Sequence, residues 1–429
     1  MWIKLFTNSK NTERDGYVWN MLSSITYALQ AILLLVAVGR ICGTADAGLF
    51  SIAYAIANLL YFAGTMYGRR FQVSDIREEY LFNDYLAARM ATCTLMITSA
   101  VVVCICGIIF SGYDGIKCVI IMLLCGVKCV DAFAEVFYGR FQQQFRLDIS
   151  ARINVFRFGG SMVVYICALA ITRQFLFSTI IFLAISVLLF LISSVLIGKD
   201  YFGTKVGFRP EKVKGILKQC FPLFVAAFLL MYITNAPKYV IDAKMTYTDQ
   251  AVFNYIFMPV FAIRLLADFI FNPIMAKLSL DWDQKNYAQF RHKVSRQLKI
   301  IVILSLGGIV VAYFIGTQIL SWLFGYDLAV QKIQLTVLIV GGGFYAVINF
   351  LGIVTTIMRI QWRISIAYII TSMLTLLLGN FAIEQFGLFG ASFQFLATMI
   401  VLTAIMAVMT VIAMPKLRTS STESSDAID

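Results

Sequence analysis

Long apolar stretches separated by short polar connections run through almost the whole chain. Six of them fall near 17–39, 48–68, 90–110, 117–137, 153–172 and 175–197. After a polar stretch they resume near 216–236, 249–271, 299–317, 330–355, 364–383 and 388–412. Each is close to the roughly 20 residues that a helix needs to cross a bilayer. The pattern therefore predicts an all-α polytopic membrane protein with twelve transmembrane helices.

The composition agrees with this pattern and gives the predicted helices an orientation. Of the 429 residues, 60% are hydrophobic and only 14% are charged, whereas a soluble domain carries about 25% charged residues. If the N-terminus is cytoplasmic, 27 of the 35 lysines and arginines lie on its side of the membrane and six on the other. Cytoplasmic loops are enriched in these residues, so both termini are predicted to be cytoplasmic. The net charge of +12 is then explained without nucleic-acid binding.

The stretch GRRFQVSDIREEYLFNDYLAAR at 68–89 is polar although it lies between two apolar runs. Its four arginines fall on the side that the charge count assigns to the cytoplasm. We interpret it as the first large cytoplasmic loop.

The chain divides into two halves with six predicted helices each. We predict an N-terminal bundle at 1–197, a cytoplasmic linker at 198–215, a C-terminal bundle at 216–413 and a disordered cytoplasmic tail at 414–429. DAGLF at 46–50 and DQAVF at 249–253 both open the second helix of their half. Two such repeats, related by an axis along the membrane normal, form a transporter architecture with a central cavity.

The fourth predicted helix carries the ionisable group that lies deepest in the membrane. Lys128, Asp131 and Glu135 have the spacing i, i+3, i+7, which places them on one face of a helix. A charge at the centre of a membrane helix costs about 2.5–3.5 kcal/mol on insertion scales, so it often marks a functional site. Lys128 is a candidate for binding an anionic headgroup and Asp131 for ion coupling. A self-satisfied Lys128–Asp131 pair, with Glu135 at the cytoplasmic interface, is the alternative.

Further candidates lie in the fifth and eighth predicted helices. Arg264 and Asp268 are separated by one helical turn, and arginine is suited to bidentate phosphate binding. Arg152 and Arg157 open the fifth helix and are candidates for admitting a phosphate from the inner leaflet. A structural ion pair explains Arg264 and Asp268 equally simply, and anchoring by the positive-inside rule explains Arg152 and Arg157.

The sequence offers no features of a metal or catalytic site. Its nine cysteines lie mostly within apolar runs, and there is one histidine, His292. Zinc-ligand spacings, nucleotide-binding fingerprints and hydrolase motifs do not occur in a suitable context. We therefore predict a protein that is not an enzyme and has no metal or cofactor, with proton or sodium coupling as the remaining possibility through Asp131, Asp268 or Glu135.

Several segments are similar to a known family of membrane proteins. RDGYVWNMLSSITYALQAILLLVAVGRICGTADAGLFSIAYAIANLL at 14–60, with RRFQVSD and YLFNDYLAAR, resembles bacterial polysaccharide biosynthesis membrane proteins. NAPKYVIDAKMTYTDQAVFNYIFMPV at 235–260 and FNPIMAKLSLDW at 271–282 do so as well. These proteins are the O-unit and capsule-repeat flippases of the multidrug/oligosaccharidyl-lipid/polysaccharide (MOP) exporter superfamily.

The resemblance implies a MATE-like fold and a flippase function in the bacterial inner membrane. The implied cargo is an oligosaccharide on undecaprenyl diphosphate, a precursor of O-antigen, capsule or another surface polysaccharide, moved from the cytoplasmic to the outer leaflet. Membrane lipid, and glycosyltransferases or a polymerase of the same pathway, are the implied partners. The alternatives are a cation-coupled multidrug exporter of the same superfamily and a membrane polysaccharide polymerase, although every predicted outer loop is short.

Overall fold

A computed structural model describes residues 6–9, 11–75, 77–195 and 209–414, without the side chains of 194–195, 264–273, 276 and 361–362. Most of the predicted linker and nearly all of the predicted tail lie outside these ranges. A helix begins at Pro210, so the last residues that we assigned to the linker are helical.

The first half contains six membrane helices and one short helix. The short helix, Gly68–Ser74, lies between the second and third long helices. The six long helices are α1 Thr12–Ile41, α2 Thr44–Thr65, α3 Phe82–Ser111, α4 Gly115–Gln143, α5 Leu147–Thr172 and α6 Phe175–Phe190. A π-helical turn, Leu191–Val195, extends α6.

The second half also crosses six times. Its helices are α7 Pro210–Lys244, α8 Tyr247–Asp283, α9 Tyr287–Val311, α10 Lys332–Ile357, α11 at 361–386 and α12 at 388–413. A π-helical turn, Ala312–Gly316, and the helix Thr317–Phe324 continue α9. Gly387 separates α11 from α12 because its φ of 55° and ψ of −134° interrupt the helix. The predicted fold, twelve helices in an all-α protein, is confirmed.

Length and hydropathy alone identify nine candidate membrane spans among the described residues. One of them covers α11 and α12 together, and α4 and α8 are not among the nine. Every 18-residue window of α4 contains at least three charged residues, because Lys128, Asp131 and Glu135 lie close together near its middle. The number of charged residues therefore keeps α4 from being identified as a span by composition alone.

The two halves share one hydrophobic core and also have separate ones. We call the side where α1 begins the N-terminal face and the other side the opposite face. The shared core joins the two halves and includes Leu34, Phe50, Ile241 and Tyr255. At the N-terminal face the halves have different cores. One contains Phe137 with Val213 of α7, and the other contains only residues of the second half, such as Phe290 and Val354.

Close packing at the opposite face depends on one glycine. A side-chain carbon at Gly48 of α2 would lie 1.8 Å from the carbonyl oxygen of Tyr247. The start of α8 can approach α2 this closely because glycine has no side chain, as is common in membrane helix interfaces. The halves therefore meet closely at the opposite face, and the beginning of α7 also packs on the first half at the N-terminal face.

Candidate functional site

Three charged side chains meet near the middle of the first half. The Lys128 ammonium lies 3.4 Å from Asp131 Oδ2, and Arg157 of α5 donates a hydrogen bond to Asp131 Oδ1. Lys128 is 1% exposed and Arg157 is 2% exposed. Lys128 lies about 20 Å from the start of α4 at 1.5 Å per residue, which places it near the middle of that helix. We call Lys128, Asp131 and Arg157 the central cluster.

Aromatic rings enclose the ammonium group of Lys128. Its nitrogen lies 4.9 Å from the ring centre of Tyr27, 4.8 Å from that of Tyr54 and 6.0 Å from that of Tyr61. The Tyr27 hydroxyl also accepts a hydrogen bond from it at 3.3 Å. Cation–π contacts of this kind stabilise a desolvated ammonium group by up to about 2 kcal/mol each. The helices α1, α2 and α4 thus hold the lysine cation in the interior.

The central cluster has more positive than negative charge. Two cations, Lys128 and Arg157, share the single carboxylate of Asp131. The Nη1 atom of Arg157 is buried and has no hydrogen-bond partner among the described residues. A buried arginine nitrogen without an acceptor is costly, and an anion that reached this atom would satisfy it. Chemically, the cluster is suited to binding a phosphate or carboxylate group.

A second charged group lies nearer the N-terminal face. Arg69 of the short helix bonds to Glu135 Oε1 at 3.2 Å and to Gln142 Oε1 at 3.0 Å. Glu135 therefore has an arginine partner and does not simply extend into water. These residues line a pocket of about 500 Å³, which Tyr61 also lines. Because Tyr61 faces Lys128 as well, it connects the pocket with the central cluster.

The remaining predicted site residues have different surroundings. Arg152 bonds to Asp15 at 2.8 Å and to the carbonyl oxygens of Phe6 and Asn8, so it fastens the N-terminal segment to α5. The side chains of Arg264 and Asp268 lie outside the described residues. Of the four predicted anion-binding residues, Lys128 and Arg157 come together, and Arg152 does not join them.

Two buried lysines were not among the predicted site residues. Lys238 of α7 is 5% exposed, and its nitrogen lies 4.7 Å from the ring centre of Phe257 and 5.6 Å from that of Phe261. The charge count assigned it to the outer side because it follows the predicted helix at 216–236, whereas α7 continues to Lys244. Lys117, at the start of α4, is also buried, and its position beside a predicted loop gave no sign of burial.

Lys117 belongs to a set of contacts that joins the halves at the opposite face. Its nitrogen lies 2.5 Å from Asp242 Oδ1 of α7, and the Tyr113 hydroxyl donates to Asp242 Oδ2 at 2.6 Å. Arg40, at the end of α1, donates to the carbonyl oxygens of Trp322 and Leu323. These contacts close the cavity on this side.

The described residues contain no group of three or more histidine, cysteine or acidic side chains that could hold a metal ion. All nine cysteines are free. Ion pairs, aromatic rings and a cavity are therefore the chemistry that the described interior offers.

Comparison with solved structures identifies the architecture. A scan against protein-family models and a search of curated proteins gave no match. Solved structures do match: the lipid II flippase MurJ in an inward closed conformation superposes with a TM-score of 0.68 and 16% identity, covering 91% of this chain and 87% of MurJ. This chain therefore shares the fold of MurJ.

Two solved structures of MATE family transporters also superpose on this chain, with different TM-scores. A multidrug resistance MATE family transporter in its inward-facing conformation gives a TM-score of 0.64 at 14% identity, covering 92% of this chain and 95% of the transporter. An outward-facing MATE family transporter gives 0.55 at 13% identity, covering 96% and 99%. The MATE-like architecture that the resemblance implied is confirmed.

Proposed function

We propose that this protein is a flippase for oligosaccharides linked to undecaprenyl diphosphate, moving them from the cytoplasmic to the outer leaflet by alternating access. The observation that carries the proposal is the excess positive charge of the central cluster, in which Lys128 and Arg157 share one carboxylate. A diphosphate cannot cross about 30 Å of hydrocarbon unaided, but it can be neutralised by two buried cations. The MurJ likeness supports the same type of cargo, since MurJ is a lipid II flippase.

The charge of the central cluster suggests which groups compensate its two cations with and without cargo. Without cargo, Asp131 compensates one of the two cations and reduces the cost of burying them. With cargo, the diphosphate oxygens accept hydrogen bonds from Lys128 and from the unpartnered nitrogen of Arg157. Asp131 is already bonded to both cations, which favours a role in positioning them over a role in binding a coupling ion.

The direction of transport follows from the charge distribution along the chain. Lysines and arginines are concentrated at the N-terminal face, so the positive-inside rule makes that face cytoplasmic. The cavity then opens toward the side on which lipid-linked sugars are made. The closed contacts around Asp242 lie at the outer face and must separate for release.

A multidrug exporter is the second candidate, favoured by the likeness to MATE family transporters. The aromatic enclosure formed by Tyr27, Tyr54 and Tyr61 is suited to an organic cation. Lys128 already occupies it with a positive charge, so a cationic drug would meet repulsion there. This is why we rank export of cations below flipping of anions.

Transport by the purified protein in vesicles tests the proposal. A fluorescent oligosaccharide on undecaprenyl diphosphate is placed in both leaflets, and its movement is followed by quenching from outside. We expect wild type to accelerate exchange, and Lys128→Gln with Arg157→Gln to abolish it. Lys332→Gln, a cation change at the opposite face, is the matched control and should keep the wild-type rate.

The outcome of the same assay separates the two candidates. Wild-type transport by the double variant would show that the central cluster does not bind the diphosphate. No lipid transport by the wild type, together with uptake of a fluorescent organic cation, would favour the multidrug exporter.

A further inference from the structure

The pocket at the N-terminal face has the features of a site for a sugar. About 500 Å³ in volume, it lies between the end of α2, the short helix Gly68–Ser74 and α4. Tyr61, Phe62 and Tyr67 supply aromatic faces, and Gln142 and Glu135 supply polar atoms. Pockets of 300–1,000 Å³ with aromatic walls and a few placed polar groups are typical of small-ligand sites. Sugar rings suit such walls because their C–H faces pack on aromatic rings while their hydroxyls bond to amides and carboxylates.

The backbone that forms this pocket is held in an unusual conformation. Met66 and Tyr67, between α2 and the short helix, have φ values of 39° and 57°. Bulky residues rarely adopt a positive φ, and such positions concentrate at functional sites. The short helix is seated closely on α4, because a side-chain carbon at Gly139 would lie 2.2 Å from Oε1 of Gln72. The turn therefore leads directly into the short helix, whose Arg69 bonds to Glu135 and Gln142 of α4.

The two arginines of the pocket differ in their partners. Arg69 bonds to both Glu135 and Gln142, so its charge is matched and it orients these two acceptors. Arg70 is exposed, and its guanidinium lies 4.8 Å from the ring centre of Tyr67. It has no carboxylate partner among the described residues. A guanidinium held over an aromatic ring keeps its edge available for a bidentate carboxylate.

We propose that this pocket is a glycan subsite that prefers a sugar bearing a carboxylate, with Arg70 binding the carboxylate and Tyr67 the ring. The inference rests on the proposed function, because a flippase for lipid-linked oligosaccharides would present such sugars here. Since Tyr61 lines both the pocket and the central cluster, one ligand can place its diphosphate beside Lys128 and a sugar beside Tyr67. The cargo class is therefore an acidic oligosaccharide.

Saturation-transfer NMR on the full-length protein in nanodiscs tests this subsite with three probes: glucuronate, glucose and inorganic phosphate. We expect wild type to bind glucuronate about tenfold more tightly than glucose, the ratio that 1.4 kcal/mol produces. Arg70→Gln should reduce glucuronate binding to the level of glucose. Arg77→Gln, an exposed arginine a few residues further along the same polar stretch, is the matched control and should change nothing. Tyr67→Ala should weaken both sugars.

Each alternative result overturns a stated part of the inference. Equal binding of glucuronate and glucose by wild type would remove the preference for a carboxylate. Displacement of glucuronate by equimolar phosphate would indicate a general anion site, such as one for lipid headgroups. An unchanged glucuronate affinity in Arg70→Gln, with an unchanged melting temperature, would show that Arg70 does not bind the carboxylate.

Sugar-free undecaprenyl diphosphate distinguishes this inference from the proposed function. If wild type binds this lipid and the Lys128→Gln, Arg157→Gln variant does not, the central cluster is supported whatever the pocket does. If wild type binds glucuronate but not the lipid, the subsite stands and the proposed cargo is wrong.

Discussion

The two halves have the same number of helices but very different interiors. In the first half, Lys128, Asp131 and Arg157 form a bonded cluster, and Arg69 and Glu135 form another. In the described part of the second half, Lys238 faces the rings of Phe257 and Phe261, and Lys293 pairs with Asp281. The same number of helices in each half therefore goes with different interior chemistry.

This difference assigns separate tasks to the halves. Ionisable groups inside a membrane domain are expensive and are retained where they bind or relay something. The first half concentrates them in the central cluster and beside the pocket that Arg69 and Glu135 line, so it is the half that we expect to hold the headgroup. The described part of the second half contributes Asp242 to the contacts at the opposite face, so its task there is to open and close.

The largest effect is expected from Asp131→Asn. The change leaves Lys128 and Arg157 as two buried cations without a carboxylate, and breaking a buried pair costs about 3–5 kcal/mol. Thermal unfolding in nanodiscs should show a large loss of stability. Glu78→Gln, which breaks the half-exposed pair with Arg140, is the control and should cost less than about 1 kcal/mol. Equal losses in the two variants would mean that Asp131 does not hold the cluster together.

A change of opposite sign is expected for Lys238→Met. It removes a buried charge that faces only aromatic rings, so the variant should be more stable by about 1–2 kcal/mol, below the 2.5–3.5 kcal/mol that insertion scales assign to lysine at a helix centre. Flipping should continue, whereas Lys128→Met should abolish it. Loss of flipping in a well-folded Lys238→Met variant would show that both halves bind the cargo.

Asp242→Asn should shift the conformational balance. Without the carboxylate, Lys117 and Tyr113 lose their link to α7, so the opposite face should open more often. Labelling of the half-buried Cys118 beside Lys117 by an impermeant maleimide should rise about tenfold, the effect of 1.4 kcal/mol. Glu384→Gln breaks the exposed pair with Lys244 at the same face and should leave the labelling unchanged. Unchanged labelling in Asp242→Asn would mean that this ion pair does not keep the face closed.

The helices could be predicted from the sequence because each one must be apolar over the width of the bilayer. Even α4, which contains too many charged residues to be identified as a span by composition, was recognisable from the apolar residues on either side of them. The pairing of Lys128 with Asp131 could be anticipated because i, i+3 neighbours lie on one face. These features depend on local sequence.

The rest of the site depends on contacts between different helices, which cannot be predicted from the spacing of residues along the sequence. Arg157 reaches Asp131 from α5, 26 positions further along the chain. Lys117 meets Asp242 across the two halves, at a separation of 125. Arg69 was interpreted as part of a cytoplasmic loop, and only the left-handed turn at Met66 and Tyr67 brings it back onto Glu135.

The smallest effect on cargo binding is expected from Arg152→Gln. Among the predicted anion-binding residues, Arg152 is the one nearest in sequence to Arg157 of the central cluster, so comparing the two variants tests whether the binding region ends at the cluster. Arg152 bonds to Asp15 and to backbone carbonyls of the N-terminal segment, not to the cavity residues described above. Its loss should therefore lower stability through these contacts, each worth about 1 kcal/mol, and should leave the affinity for undecaprenyl diphosphate within about twofold, less than 0.5 kcal/mol. Arg157→Gln, five residues further along α5, should weaken that affinity at least about tenfold, because the removed charge lies in the central cluster. Comparable losses of affinity in both variants would place Arg152 on the path of the cargo and extend the binding region to the N-terminal face.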